Sequence, residues 1–176
     1  MMKTVKFLLI FLLLFSCNAV KVNYDYERET DFSAYNTYSY FGDIETGLSE
    51  LDEKRFIRAM DIALQRKGLL FSEEPDILIN INSAVFREQQ GNSVGVGLGG
   101  GGRNVGGGVS IGIPVGGPKL NREIQIDFVD AKKDMLVWQA VSQSPFKEDD
   151  VPMVKEQKIQ ELITKIFSKY PPKQRN

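Results

Sequence analysis

The sequence predicts an α+β domain: a mostly antiparallel sheet with two amphipathic helices packed on one face, and a glycine-rich hairpin as an extension. Three observations support this fold class. Several segments alternate apolar and polar residues with the period of a half-buried strand, and two segments repeat apolar residues with the period of a helix. Two helices that each carry one apolar stripe are buried most simply on one face of a single sheet.

Two strands are predicted before the first helix. Val20, Val22, Tyr24 and Tyr26 alternate with polar residues, which is typical of a strand with one buried face. Residues 37–41, "TYSYF", form a second segment rich in residues that favour strands.

The first helix is predicted within residues 49–68. Ser49 and Asp52 have the spacing of a capping arrangement at its start. Gly68 is placed to end it, because glycine readily adopts the left-handed conformation found after helices. The residues that share its apolar face are Phe56, Ile57, Met60, Ala63 and Leu64.

A third strand and a hairpin follow. Ile77, Ile79 and Ile81 lie on one face of the third strand, and Asn80 and Asn82 lie on the other, which is expected to be wetter. Residues 122–142 read as two alternating strands joined by a turn at residues 131–134.

A second helix is predicted near the end of the chain. Asp149 or Asp150 lies near its cap and Pro152 lies in its first turn, where proline is tolerated. Pro171 and Pro172 end it. Its apolar stripe consists of Ile159, Leu162, Ile163, Ile166, Phe167 and Tyr170.

The glycine-rich section, residues 91–117, holds 13 of the 16 glycines. It contains the pattern GxGxxG, but more glycine follows where a dinucleotide-binding site needs a helix to begin. Two arms of alternating aliphatic residues predict a long hairpin instead, either without a role or docking on a partner, a second copy or a membrane. The candidate contact residues are Val94, Val96, Leu98, Val109, Ile111 and Ile113.

The first 16 residues have the pattern of a signal peptide. Lys3 and Lys6 precede an unbroken apolar run over residues 7–15, which is too short to cross a bilayer as a helix. Residues 14–17, "LFSC", resemble the lipobox of bacterial lipoproteins. That resemblance implies cleavage before Cys17 and attachment of a diacylglycerol to its sulfur. Two or three acyl chains would anchor the protein stably, whereas one chain binds only weakly.

Composition excludes several classes of function. Residues 17–172 are expected to form one domain, and residues 173–176 a tail. Without residues 1–16 the chain has 20 basic and 23 acidic side chains, which argues against general nucleic-acid binding. The absence of histidine, with Cys17 as the only cysteine, removes the usual general base and the commonest metal ligands. We therefore expect no metal site and no cofactor.

Carboxylates are the remaining candidates for catalysis, since paired carboxylates can act as acid and base. The residues considered are Glu73, Glu74, Asp76, Asp127, Asp130, Glu148, Asp149 and Asp150. Each of them also suits a turn or a helix cap. Trp138, on a predicted strand, is expected in the core and not as a stacking surface.

The whole mature chain resembles the DUF4136 family of bacterial envelope lipoproteins, a family of unknown function. Lys132 and Lys133 stand where that family often has glycine in the hairpin turn. Asn18, which follows the cysteine in place of aspartate, implies the outer membrane. The resemblance is carried by Cys17, "VNYDYERETDFSAYNTYSY", the helix ending in Lys67-Gly68, "EEPDILINI", the glycine-rich middle, "IDFVDAKKDMLVW" and "IFSKYPPK".

The leading hypothesis is a lipid-anchored envelope protein with a non-catalytic binding or scaffolding role, located at the outer membrane and facing the periplasm. Its expected partners are the membrane, through the anchor, and an envelope protein or a second copy. One alternative is a small-ligand binder with a pocket between the helices and the sheet. The other is a hydrolase that works through carboxylates.

Overall fold

A six-stranded sheet and two helices form most of the described structure, a computed structural model that describes residues 20–42, 44–88, 93–95, 112–114 and 119–173. The elements are β1 (Lys21–Tyr26), β2 (Thr37–Tyr40), α1 (Glu50–Arg66), β3 (Leu70–Phe71), β4 (Ile77–Glu88), β5 (Ser93–Gly95), β6 (Gly112–Pro114), β7 (Lys119–Asp130), β8 (Met135–Pro145) and α2 (Pro152–Ile166). Short 3-10 turns occupy Phe32–Ala34 and Phe167–Lys169. The α+β class is confirmed.

The sheet is mixed, and the prediction of a mostly antiparallel sheet was wrong. The strand order is β1-β8-β7-β4-β2-β3. The first three neighbouring pairs are antiparallel, but β2 runs parallel to both β4 and β3. The physical reason is α1: the chain leaves β2, returns along the helix and enters β3 and β4 in the direction of β2, as in any helical crossover.

Burial on one face of the sheet builds the core. The period of two brings the even-numbered residues of β7 and the odd-numbered residues of β4 to the same side, opposite the apolar stripes of both helices. Each large side chain buried there stabilises the fold by about 1.5–3 kcal/mol. Members of this core include Phe56, Met60, Leu64, Ile77, Ile79, Ile81, Ile124, Ile126, Phe128, Leu162, Ile163 and Ile166.

An aromatic cluster closes one end of this core. Trp138 stacks on Phe167 at a centroid distance of 6.0 Å and lies 4.8 Å from Phe128. Tyr170 meets the Trp138 ring edge to face at 5.2 Å. Trp138 is therefore a core residue, as predicted, and α2 is tied to β7 and β8 by the residues that follow it.

The helix ends agree only in part with the sequence pattern. Gly68 follows α1 with φ +88°, the conformation that favours glycine after a helix. Ser49 occupies the cap position of α1, but its side chain makes no capping hydrogen bond. The cap of α2 is Val151, with Pro152 as the first helical residue. Neither helix in the described ranges is long and apolar enough to cross a membrane.

The described residues include part of the glycine-rich section. Strands β5 and β6 form an antiparallel pair in which Val94 lies opposite Ile113. The rest of residues 91–117 lies outside the described residues, so the long hairpin stays a prediction.

Gly47 sits at a close approach between the loop before α1 and strand β4. Its φ is +69°, and a Cβ at this position would lie 2.5 Å from the backbone oxygen of Ser83. Real Cβ atoms do not come this close to a backbone oxygen, so only glycine fits without a shift of the loop.

We expect Gly47→Ala to lower the free energy of unfolding by about 2–4 kcal/mol, because it adds left-handed strain to a clash with β4. Urea unfolding of the full chain measures this. Gly42→Ala is the matched control, since a Cβ there meets nothing within 4 Å. Equal effects of the two substitutions would contradict the assigned close approach.

Candidate functional site

Asp76 holds the start of β2 in place. Its Oδ2 accepts hydrogen bonds from the backbone amides of Asn36 and Thr37, at 3.0 and 3.2 Å, and from the Thr37 hydroxyl at 3.0 Å. The Asn36 amide is the main reason that the pKa of Asp76 lies below its usual value. This carboxylate is kept ionised by the backbone it organises.

Asp130 performs the same task for the turn between β7 and β8. Its Oδ1 accepts hydrogen bonds from the backbone amides of Lys132 and Lys133, at 3.0 and 2.9 Å. Its Oδ2 accepts one from the Tyr35 hydroxyl at 2.8 Å. Desolvation raises the pKa of Asp130, but these hydrogen bonds and the nearby Lys133 charge outweigh it and leave the pKa below its usual value.

Two other carboxylates considered for catalysis also have partners in the fold. Asp127 accepts hydrogen bonds from the side-chain amides of Gln125 and Gln139. Asp150 forms an ion pair with Lys158 on α2. Across the described ranges, no group of three or more acidic, cysteine or histidine side chains is arranged to hold a metal ion.

A buried ionic cluster joins the first turn of α1 to β7 and α2. Asp52 is only 3% exposed, and its Oδ1 accepts a hydrogen bond from Arg55 at 2.9 Å. Arg122 and Lys155 each place a nitrogen 3.8 Å from its other oxygen. The Arg122 guanidinium carbon also lies 3.7 Å from the centroid of the Phe146 ring. Asp52 thus ties three elements together and does not serve as a helix cap.

A small cavity of about 50 Å³ opens beside this cluster. Desolvation lowers the pKa of Arg122, and the charge of Asp52 opposes that shift. A volume of 50 Å³ accommodates a few water molecules or a small ion, and it is far below the range of about 300–1,000 Å³ typical of ligand pockets. Core side chains fill the space between the helices and the sheet, where the alternative hypothesis placed a pocket.

The second face of the sheet is polar. Asn23, Gln125 and Asn82 lie in one row across it, together with Val141. In the next row Gln139 donates to Asp127 at 2.7 Å, and at one side Gln143 donates to Glu123 at 2.9 Å. The wetter face predicted from Asn80 and Asn82 therefore exists, and Asn23, Asn82 and Gln143 on it are exposed.

Both edges of the sheet expose apolar side chains at the end opposite the first residue of β1. On the β3 edge, Leu70 and Phe71 are 62% and 60% exposed; we call these two residues the β3 patch. On the other edge β1 ends before β8 does, and Tyr26, Met135 and Leu136 are 40–48% exposed; we call these three residues the β8 patch. A recess of about 230 Å³ beside the β8 patch is lined by residues 25–27 and 136–139.

The contact residues proposed from the sequence are only partly placed. Val94 and Ile113 face each other in the β5–β6 pair. The other four, Val96, Leu98, Val109 and Ile111, lie outside the described residues, as does Cys17, the predicted site of lipid attachment. The patches at the sheet edges were missed, because the exposure of Leu70 and Leu136 depends on which strands end early. Two features of the sequence could have indicated them: the apolar residues 69–71, "LLF", directly after a helix, and Met135-Leu136 directly after a turn.

We expect Asp130→Asn to lower the free energy of unfolding by about 2 kcal/mol at pH 7, because a charged hydrogen-bond acceptor is lost. A carboxylate with a lowered pKa stabilises the fold above its unfolded pKa of about 4 and loses that effect as the pH falls through its folded pKa. The difference between parent and variant should therefore shrink at pH 3. Urea unfolding at both pH values measures it, with the exposed Asp149→Asn as control. A difference independent of pH would contradict the assignment.

Comparisons with solved structures show the same fold in two bacterial proteins. A PDZ domain protein from Parabacteroides distasonis is similar with a TM-score of 0.56 and 13% identity, over 97% of this chain. This chain spans 40% of that protein's length. A PelC dodecamer from Paraburkholderia phytofirmans is similar with a TM-score of 0.50 and 8% identity, over 85% of this chain and 95% of that one.

At these identities the likeness concerns the fold alone. No curated protein matches the sequence. The family described as "Domain of unknown function (DUF4136)" matches residues 22–172, which include both helices and every strand of the sheet except the first residue of β1. The match confirms the resemblance carried by the strand, hairpin and C-terminal segments. The chain belongs to the DUF4136 family.

Proposed function

We propose that this protein is a lipid-anchored component of a bacterial cell envelope with a non-catalytic binding or scaffolding role, held at the periplasmic side of the outer membrane. One observation carries the binding role: in the described chain, one face of the sheet is lined by exposed and half-buried polar side chains, and β1 and β3 end the sheet without a further paired strand. An uncovered sheet edge pairs readily with another chain, and an apolar patch at that edge adds a contact.

The carboxylates support a non-catalytic role. A general acid needs a raised pKa, whereas the pKa values of Asp76 and Asp130 are lowered by hydrogen bonds from the backbone. Asp52 and Asp150 are engaged by cations. The buried acids therefore serve the fold, which leaves the hydrolase as the weaker hypothesis.

The polar face and the glycine-rich section remain the proposed contacts with an envelope protein. Amide and carboxylate groups on the face present both donors and acceptors in rows, as polar partners require. The aliphatic arms of the section, with Val94 opposite Ile113, would supply an apolar contact. No charge other than that of Arg103 occurs within residues 91–117.

Self-association is the second part of the proposal. The PelC relative is a dodecamer, and 95% of its length is shared with this chain's fold. A protein whose sheet ends in two different uncovered edges can form a closed assembly by repeating one contact between them. We propose that the scaffold is an assembly of copies of this chain.

Lipid attachment is tested by Cys17→Ser. We expect the parent to incorporate radiolabelled palmitate and to pellet with membranes, whereas the variant is unlabelled and found in the soluble fraction, because only the cysteine can carry the thioether. Ser16→Ala is the control, since it keeps a small residue before the cysteine, and it should behave like the parent. Equal pelleting of all three proteins without label would overturn the anchor.

Self-association is tested on the full chain in membranes with an amine-reactive crosslinker. We expect crosslinked species larger than a dimer at native abundance. The measurement is the ladder of masses after denaturing electrophoresis, and excess unrelated lipoprotein in the same membrane is the control for random collision. A parent that remains a single chain under these conditions would contradict the assembly.

A further inference from the structure

Two apolar patches lie at opposite edges of one sheet and at the same level along its strands. The pairing register connects them directly: Phe71 lies beside Tyr38, Tyr38 beside Ile77, Ile77 beside Asp130 and Asp130 beside Met135. Phe71 of the β3 patch and Met135 of the β8 patch are therefore the two ends of a single row across the sheet.

The exposed edge of β3 is ready to pair. The backbone amides of Leu70 and Ser72 donate to Asn36 and Tyr38 on the β2 side, each at 2.9 Å. Backbone groups alternate in direction along a strand, so the amide of Phe71 points outward. The Phe71 ring contacts Tyr38 edge to face with centroids 5.9 Å apart, which fixes its position without burying it. An outward amide beside two exposed apolar side chains is a docking edge.

The receiving edge is shaped differently. Strand β8 begins at Met135, before the stretch that pairs with β1. The backbone amide of Glu27, just after β1, donates a hydrogen bond to the Val137 oxygen at 3.0 Å. Met135 and Leu136, at the start of β8, have no partner strand on the β1 side. Tyr26 stands above them, beside the recess. One edge thus carries an outward backbone amide with one exposed apolar side chain on each face of the sheet, and the other edge carries a step with a recess.

The proposed lipid anchor determines which end of the sheet lies near the membrane. Three residues lie between Cys17 and Lys21, so the tether reaches at most about 14 Å. Lys21 pairs with Gln143, at the end of the sheet far from both patches. In the arrangement that we infer, the strands stand along the membrane normal, and copies anchored in one membrane are related by rotation about that normal. Such a rotation leaves the distance of each patch from the membrane unchanged. It can therefore bring the β3 patch of one copy against the β8 patch of the next.

We propose that this protein assembles side by side in the membrane plane through a head-to-tail contact, in which Leu70 and Phe71 of one copy dock against Tyr26, Met135 and Leu136 of the next. This inference rests on the self-association proposed above and names its surfaces. A contact that uses both patches covers all five apolar side chains, whereas pairing of two β3 edges would leave the β8 patch exposed. Repetition of one such contact gives a ring when the rotation closes.

The test uses cysteine pairs in the anchored full chain, in membranes, with a short bis-maleimide crosslinker. Leu70→Cys combined with Leu136→Cys in one chain should give a ladder of multimers. Each substitution alone should give no dimer, because head-to-tail contacts never bring two identical residues together. A dimer from Leu70→Cys alone would overturn the head-to-tail contact. Met153→Cys combined with Leu136→Cys is the matched control and should give no ladder.

A charge at the contact should disrupt it. In the two-cysteine chain, Phe71→Asp should weaken the ladder by about a hundredfold, because it buries an unpaired carboxylate between apolar side chains. Met153→Asp, an equivalent change at an exposed residue outside both patches, should leave the ladder intact. Circular dichroism of each variant confirms that the fold is retained.

The experiments distinguish self-association itself from the use of the two patches as its contact surfaces. Multimers with the amine-reactive reagent but no cysteine ladder would overturn the patches and leave self-association standing. A cysteine ladder that persists with Phe71→Asp would also overturn the patches as the source of affinity. A parent that gives no multimers with either reagent would overturn self-association itself. The palmitate label on Cys17 is independent of all three results.

Discussion

One-sided burial is the constraint on which the rest of this structure depends. Both helices pack on one face of the sheet, so β4, β7 and β8 must each send alternate residues toward that face. The remaining residues of the same strands are left on a face without a second layer. Amides and carboxylates occupy that face and bond to each other across strands, which satisfies them and keeps the surface wet. The polar face and the core thus result from one pattern.

The sequence predicted the elements better than their arrangement. Alternating isoleucines located β4 and β7, and the spacing of Phe56, Met60 and Leu64 located α1, because these patterns repeat over many residues. The parallel placement of β2 was missed. Periodicity is the same in parallel and antiparallel strands, so direction had to come from the crossover through α1. Gly68 was identified as a helix end, but Gly47 was not, since its requirement is contact with β4, which lies far away in the sequence.

For the candidate sites, too, the sequence predicted some features and missed others. Turn and cap chemistry predicted that Asp76 and Asp130 would be structural, and both bind backbone amides. The Tyr35 hydroxyl as a partner of Asp130 could not be foreseen, because 95 residues separate them. Asp52 was assigned to a cap from its spacing to Ser49. Burial against Arg122 and Lys155 competes with that role, and a charge with three cations around it is more strongly held than one at a solvated cap.

An anchor and a weak contact strengthen each other. The two edge patches hold five apolar side chains, enough for the centre of an interface but little compared with the area that a stable complex in solution buries. In the proposed assembly, confinement to a membrane by a short tether would restrict the copies to one plane, which raises their effective concentration. A closed ring has one more contact between copies than an open chain with the same number of copies. An interface too small to hold two free copies could therefore hold the proposed anchored assembly, and detachment from the membrane would then dissolve it.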